Sequence, residues 1–231
     1  MSHCHATHTR KELFGPEDLA FAKRFFPGLK SIAGHNLIDP FRLSFEDPFF
    51  VTLLREPISR AISHHQDNVV RGGSRKSFEE ALKENGELCN LQVKLIAGEA
   101  NLDKAKRALE KFNFVGLTEK FDLSLHLLKK LAPCEMDLNY RRRVVARDNS
   151  VKTAIQKDAR LMELAREHNH LDLQLYEFGV NEVFPRLCSK VGLSPDQKLP
   201  GWEMERAVSP LRFRLGRLYN KAFRFACKFR S

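Results

Sequence analysis

The stretch Phe49-Phe50-Val51-Thr52-Leu53-Leu54-Arg55-Glu56-Pro57-Ile58-Ser59-Arg60-Ala61-Ile62-Ser63-His64-His65 changes character at one residue. Up to Leu54 it is an apolar run whose length suits a buried strand better than a helix. Arg55 ends the run, and Glu56-Pro57 opens a helix, because the first helical position has no use for the N–H that proline lacks. A strand, an arginine and a helix start in succession describe an anion site. In open α/β sheets ligands sit in the crevice at the carboxyl ends of the strands, and a helix amino terminus offers unbonded N–H groups to a phosphate. Ser63, about two turns into the helix, adds a hydroxyl if its rotamer turns back toward that crevice. The alternative is a core strand closed by a surface arginine, and the stretch alone leaves both open.

Downstream, Arg71-Gly72-Gly73-Ser74-Arg75-Lys76 reads as a basic loop. Ser77-Phe78-Glu79-Glu80 is a capping-box pattern that starts a helix. Cys89-Asn90-Leu91-Gln92 runs into Leu95-Ile96-Ala97-Gly98, and a helix is predicted over about Leu102 to Lys111. Phe112 to Leu117 is the clearest second strand. Thr118-Glu119 then begins a helix whose apolar face is Phe121, Leu125, Leu128 and Leu131, spaced i, i+4, i+7, i+10. Arg141, Arg142 and Arg143, with Arg147, form the densest basic group before the tail; such a run is either a solvated face or a neighbour of a multiply anionic ligand. Leu161 to Gly179 reads as helix, placing Asp172 and Tyr176 one turn apart, and Val180 to Val191 continues or restarts it before Gly192.

Upstream, Gly15-Pro16-Glu17-Asp18 starts a helix that Pro27-Gly28 ends. Leu29 to His35 is a short strand finishing on Gly34-His35. A histidine at a strand end, after a glycine that lets other groups approach, has the placement of a general base, and equally that of a structural histidine. His3, Cys4, His5 and His8 are clustered, but H-x-H-x-x-H matches no defined metal site, so a frayed terminus is expected there.

The 231 residues are 42% apolar and 29% charged, enough to bury a core. No apolar run approaches the ~18 residues of a membrane span, and the first residues lack the apolar core of a signal peptide. The five cysteines, Cys4, Cys89, Cys134, Cys188 and Cys227, are scattered without a C-x-x-C pair, which favours reduced thiols. The net charge of +10 is uneven: from Arg206 onward there are eight basic residues and no acidic one, leaving +2 for the rest. From Ser209 these cations interleave with Leu211, Phe213, Leu215, Leu218, Tyr219, Phe223, Phe225 and Phe229. A basic amphipathic helix of that kind suits an anionic membrane surface first, docking on the domain or a partner second, and nucleic acid last, since no nucleic-acid module accompanies it. Leu199-Pro200-Gly201-Trp202 reads as the linker to it.

Taken together, the segments resemble the PAPS-dependent sulfotransferases, the group that includes heparan sulfate 2-O-sulfotransferases and related bacterial proteins. The resemblance covers about Leu29 to Leu193. Leu54-Arg55-Glu56-Pro57-Ile58-Ser59-Arg60-Ala61-Ile62-Ser63 is similar to the family's 3′-phosphate-binding segment, an arginine at a strand end and a serine eight residues on. Phe114-Val115-Gly116-Leu117-Thr118-Glu119-Lys120-Phe121-Asp122 resembles its later strand-to-helix step. Gly34-His35 resembles the segment with the catalytic histidine, and Asp172-x-x-x-Tyr176 the closing helix. The resemblance implies an α/β fold, a P-loop-NTPase-like parallel sheet flanked by helices with a helix-rich C-terminal half. It implies transfer of a sulfuryl group from 3′-phosphoadenosine 5′-phosphosulfate (PAPS) to a hydroxyl, of a carbohydrate by preference, without a metal. Arg55 and Ser63 would hold the 3′-phosphate, His35 would deprotonate the acceptor, and Arg141, Arg142 and Arg143 would contact the cofactor's phosphates.

The chain departs from the family in one respect. The family opens with a loop of the form P-K-[TS]-[GA]-[GST]-[TS] that holds the 5′-phosphosulfate. Before His35 the only lysines are Lys11, Lys23 and Lys30, none in a glycine-rich turn. The first strand and its loop are therefore expected to be missing, through a start that lies upstream or through lost chemistry, with a sheet edge left to manage. The expected organisation is a sulfotransferase-like domain over 1–200 and a linker with basic tail over 201–231. Its expected place is the cytoplasm or a membrane periphery, or the Golgi lumen if an anchor precedes it. The rival readings are a non-catalytic member that binds adenosine 3′,5′-bisphosphate, a membrane-associated scaffold, and a nucleotide kinase, which would need a phosphate loop as well.

Overall fold

The computed structural model describes residues 2–5, 14–26, 28–34, 37–84, 86–135, 138, 140 and 149–201. His35, Arg141, Arg142, Arg143, Arg147 and the basic tail lie outside these residues. The described chain forms two compact units, 2–48 and 49–201, dividing between Pro48 and Phe49. It is mostly helical, with two small two-stranded parallel sheets.

In the first unit, β1 (Ser2–His5) pairs in parallel with β2 (Leu29–Ala33). The amino terminus is thus a paired strand where fraying was expected. Between them runs α1 (Pro16–Phe25), which starts as the sequence requires: Pro16 takes the first position, and the Asp18 carboxylate accepts the Gly15 N–H at 2.8 Å. Glu17 and Asp18 in its first turn and Lys23 and Arg24 in its last complement the helix dipole. Gly28 makes the turn into β2 with φ +71°, a left-handed value that glycine adopts freely. Phe14, Leu19, Ala22, Phe26 and Leu43 form the core of this unit.

The second unit is built on β3 (Val51–Leu54), which runs straight into α2 (Pro57–Val70). Then follow α3 (Phe78–Lys83), α4 (Leu91–Ala97), α5 (Leu102–Lys111) and β4 (Phe114–Leu117). A 3-10 turn leads to α6 (Phe121–Leu131), and α7 (Ser150–Lys157), α8 (Ala159–His168), α9 (His170–Phe178) and α10 (Phe184–Lys190) complete it. β3 and β4 are parallel, with Val51 opposite Phe114 and Leu54 opposite Leu117. Parallel pairing needs a long crossover, and α2 to α5 provide it.

The Ser77 cap is present as the sequence predicts, with the Ser77 N–H donating to Glu80 Oε2 at 2.8 Å and the Glu80 N–H donating to Ser77 Oγ at 3.2 Å. Leu54, Val115 and Leu117 lie on the covered face of the sheet and are essentially inaccessible. Leu54 reaches the Cα of Gly179, where any Cβ would collide with its Cδ1. The second core cluster, Ile58, Ala61, Ile62, Phe78, Leu82, Leu88, Cys89, Ile155 and Ala165, joins α2, α3, α7 and α8.

Three expectations need correction. β3 is not a buried strand: Val51 and Leu53 are 53% and 47% exposed, because only one face of this narrow sheet is fully covered. In α6 the buried residues are Leu123, Ser124 and Leu127, not the anticipated face. That helix is apolar nearly all round, so periodicity alone does not choose its inner side; Ser124 does, by accepting the Leu117 N–H at 2.9 Å and returning its hydroxyl to Leu117 O at 3.1 Å. The helix expected over Leu161 to Gly179 breaks at Asn169. Beyond α9 a π-helical turn, Gly179–Val183, precedes Pro185, and its wider spacing absorbs a proline that would otherwise clash with the preceding turn. The segment read as a linker is held at Pro200, whose carbonyl lies 2.8 Å from His126 Nε2.

Candidate functional site

Arg55 stands where β3 ends. Its main chain is fixed on both sides by one side chain: the Arg55 N–H donates to Gln92 Oε1 at 2.9 Å, and Gln92 Nε2 donates to Arg55 O at 2.9 Å. The Gln92 amide thus replaces a neighbouring strand. The guanidinium of Arg55 is half-buried and has no hydrogen-bond partner among the described residues. Arg60, one turn into α2, is close enough for the two charges to interact.

The start of α2 differs from the expectation in one respect. Glu56 folds its carboxylate over the helix end, accepting the Ile58 N–H at 3.0 Å and the Ser59 N–H at 2.7 Å. A carboxylate there satisfies orphan donors and complements the dipole. Those two N–H groups are consequently engaged by the chain's own anion, and an external phosphate at Arg55 would rely on side chains. The hydroxyl of Ser63, half-buried in the second turn, has no hydrogen-bond partner among the described residues.

The sequence places Asp172 on the closing helix of the resemblance and gives no role to Asn90, Gln92 or Asn169. The structure brings them together as a buried network. Asp172, inaccessible on α9, accepts the N–H groups of Gln92 at 3.0 Å and Val93 at 2.8 Å, capping α4. In return Asn90, at the start of α4, accepts the N–H groups of Leu171 at 3.0 Å and Asp172 at 3.1 Å, capping α9. The two helices exchange caps. Asn90 takes a left-handed conformation, φ 48°, which asparagine tolerates. Asn169 Oδ1 accepts the Asn90 N–H at 3.1 Å, and its amide donates to Ala165 O at 3.0 Å.

Arg60 closes the network. It donates to the carbonyls of Glu87 at 2.8 Å and Leu88 at 3.0 Å and lies 4.0 Å from Asp172 Oδ2. Its Nε is buried without a hydrogen-bond partner among the described residues. Burial pulls the Arg60 guanidinium below its ordinary value, against the attraction of Asp172. Burial likewise pushes the Asp172 carboxyl up, opposed by the N–H groups of Val93 and Gln92 and by the charge of Arg60. Removing both ions from water is what moves each toward its neutral form.

The segment after β4 reaches the same place. Glu119 accepts the Glu56 N–H at 2.9 Å and the Tyr176 hydroxyl at 2.9 Å. Burial, followed by the Glu119 carboxylate, raises the Tyr176 hydroxyl well above its ordinary value. So Arg55-Glu56, Thr118-Glu119 and Asp172-x-x-x-Tyr176, three segments far apart in sequence, meet at the carboxyl ends of two parallel strands. An unpartnered arginine there, with a serine hydroxyl on the adjoining helix, suits an anionic group with several acceptor oxygens.

A separate cleft of about 320 Å³ lies between α2 and α3, lined by His64, His65, Lys76, Glu84 and Glu87 among others. Its polar side chains are paired with one another, His64 Nε2 lying 2.9 Å from Glu87 Oε2 and Lys76 forming an ion pair with Glu84. Among the described residues there is no cluster of three or more His, Cys, Asp or Glu able to hold a metal, and no helix long and apolar enough to cross a membrane. No protein-family model, curated protein or solved structure matches the chain.

Proposed function

We propose that the chain is a PAPS-dependent sulfotransferase acting on a hydroxyl, of a carbohydrate by preference, with Arg55 and Ser63 holding the 3′-phosphate of the donor. The observation that carries this reading is the state of Arg55: its peptide is locked on both sides by Gln92 while its guanidinium has no partner among the described residues. The planar fork of arginine matches two phosphate oxygens, and charge-assisted pairs of this kind are about twice as strong as neutral hydrogen bonds. The meeting of the Arg55, Glu119 and Tyr176 segments supports the family resemblance, because all three are segments on which it rests.

The donor would supply an activated sulfuryl group whose leaving phosphate needs cationic stabilisation. In this reading His35 takes the acceptor proton, and Arg141, Arg142 and Arg143 add positive charge near the phosphates. The basic segment from Ser209 would hold the enzyme at an anionic membrane surface. A second reading is binding of adenosine 3′,5′-bisphosphate without transfer, since Arg55 and Ser63 concern the 3′-phosphate and not the group transferred. Transfer of labelled sulfate from PAPS to a panel of glycans, with His35→Ala as control, separates the two. Transfer that His35→Ala abolishes supports the enzyme; bisphosphate binding with no transfer to any acceptor supports the second reading.

A further inference from the structure

Gln92 does what a neighbouring strand would do at the end of β3, and it does so from a helix. A backbone N–H and C=O at a strand end are unsatisfied unless something pairs them. Gln92 pairs both groups of Arg55, each at 2.9 Å, using an amide that carries a donor and an acceptor on the same planar group. Its own position is fixed from below. The Gln92 N–H is held by Asp172, whose helix is in turn capped by Asn90, two residues before Gln92.

From this we infer that Gln92 is a positioning residue for the anion-binding arginine, and that Asn90-x-Gln92 with Asn169-x-x-Asp172 acts as one clamp setting the direction of the Arg55 side chain. The inference rests on the reading of Arg55 as a phosphate ligand. Physically, the clamp reduces the entropy lost when the guanidinium meets its ligand, because the peptide that carries it cannot rotate. Glutamate at position 92 would keep the acceptor for the Arg55 N–H but set an oxygen against Arg55 O. Methionine would keep the volume and lose both bonds.

The test uses the full chain and its Gln92→Met and Gln92→Glu variants, with adenosine 3′,5′-bisphosphate as the probe. Two quantities are read: the affinity for the probe, and hydrogen exchange at the Arg55 amide without the probe. The clamp predicts that Gln92→Met raises exchange at Arg55 at least tenfold and weakens the probe about tenfold, while the variant still unfolds in one cooperative transition above the assay temperature. In Gln92→Glu, protection of the Arg55 amide returns, because its acceptor is restored. A role in packing alone would leave both readouts of Gln92→Met at parental values, and that result overturns the inference. If the parent fails to bind the probe, the sulfotransferase reading falls. If the parent binds, a rise in exchange at Arg55 in Gln92→Met without weaker binding overturns the inference as well, because Gln92 then holds the peptide without positioning the guanidinium for its ligand.

Discussion

Replacing Asp172 by alanine removes a fully buried acceptor of two backbone N–H groups in the second unit. Its carboxylate caps α4 through Gln92 and Val93 and faces Arg60 at 4.0 Å. Without it two buried N–H groups lose their acceptor, at about 1–3 kcal/mol each, and a buried guanidinium loses its counter-charge. Breaking a buried pair from one side costs about 3–5 kcal/mol in all, because these penalties overlap. For a chain of this size each kcal/mol lowers the melting temperature by about 2–4 °C, so Asp172→Ala should melt roughly 6–20 °C below the parent.

Asp172→Asn keeps one acceptor but turns an NH2 group toward one of the two N–H donors, and should lose about 1–3 kcal/mol. The pH dependence has a definite sign. The Asp172 carboxyl is raised by burial from its ordinary value of 3.8, so the folded state holds that proton at pH values where the unfolded state has released it. Its contribution to stability therefore falls as pH rises from the ordinary value through the folded one, and Asp172→Asn should lack that decline. Thermal and urea unfolding across this pH range measure both effects. An Asp172→Ala variant within about 1 kcal/mol of the parent would refute the cap exchange as a support of the fold.

The hydroxyl of Ser63 is expected to contribute one neutral hydrogen bond to the ligand, so Ser63→Ala should weaken adenosine 3′,5′-bisphosphate by about 2- to 10-fold by calorimetry, with unchanged melting. Burial and the neighbouring His64 lower the His65 imidazole from its ordinary 6.5, so the unfolded chain binds that proton first. Stability should thus fall as pH drops from 6.5 through the folded value, and His65→Gln should flatten this part of the curve. Gly179→Ala sets a methyl group against Leu54 Cδ1, and overpacking at such a site should cost about 1–3 kcal/mol in a denaturation curve.

The elements that could be read in the sequence were those set by local chemistry. Pro57 placed the start of α2, Ser77 with Glu80 placed α3, and the apolar run ending at Leu117 placed β4. Each signal lies within a few residues of the element it sets. What could not be read depends on partners distant in sequence. The exposure of Val51 and Leu53 depends on what covers the sheet, and no pattern inside β3 reports that. The inner face of α6 depends on Ser124 meeting Leu117, whereas its leucines are spread around the helix. Glu56 stands just before Pro57, and an acidic residue immediately before a helix start is the local signal for its capping of Ile58 and Ser59. Asn90, Gln92 and Asn169 were hardest to assign, because a polar residue that caps a distant helix looks in sequence like a surface residue. For Asn90 and Gln92 a signal is present: polar residues interrupting the apolar run at Cys89-Asn90-Leu91-Gln92 must either face water or be bonded, whereas Asn169 stands among polar neighbours and gives none.

The central claim is that Arg55 is an anion ligand held ready by its surroundings, and calorimetric titration of adenosine 3′,5′-bisphosphate into the parent and into Arg55→Ala tests it most directly. Losing a charge-assisted pair costs about 1.5–3 kcal/mol, so the parent should bind and Arg55→Ala should bind about 10- to 150-fold more weakly while unfolding at the same temperature. Equal binding by both proteins, or none by the parent, would contradict it.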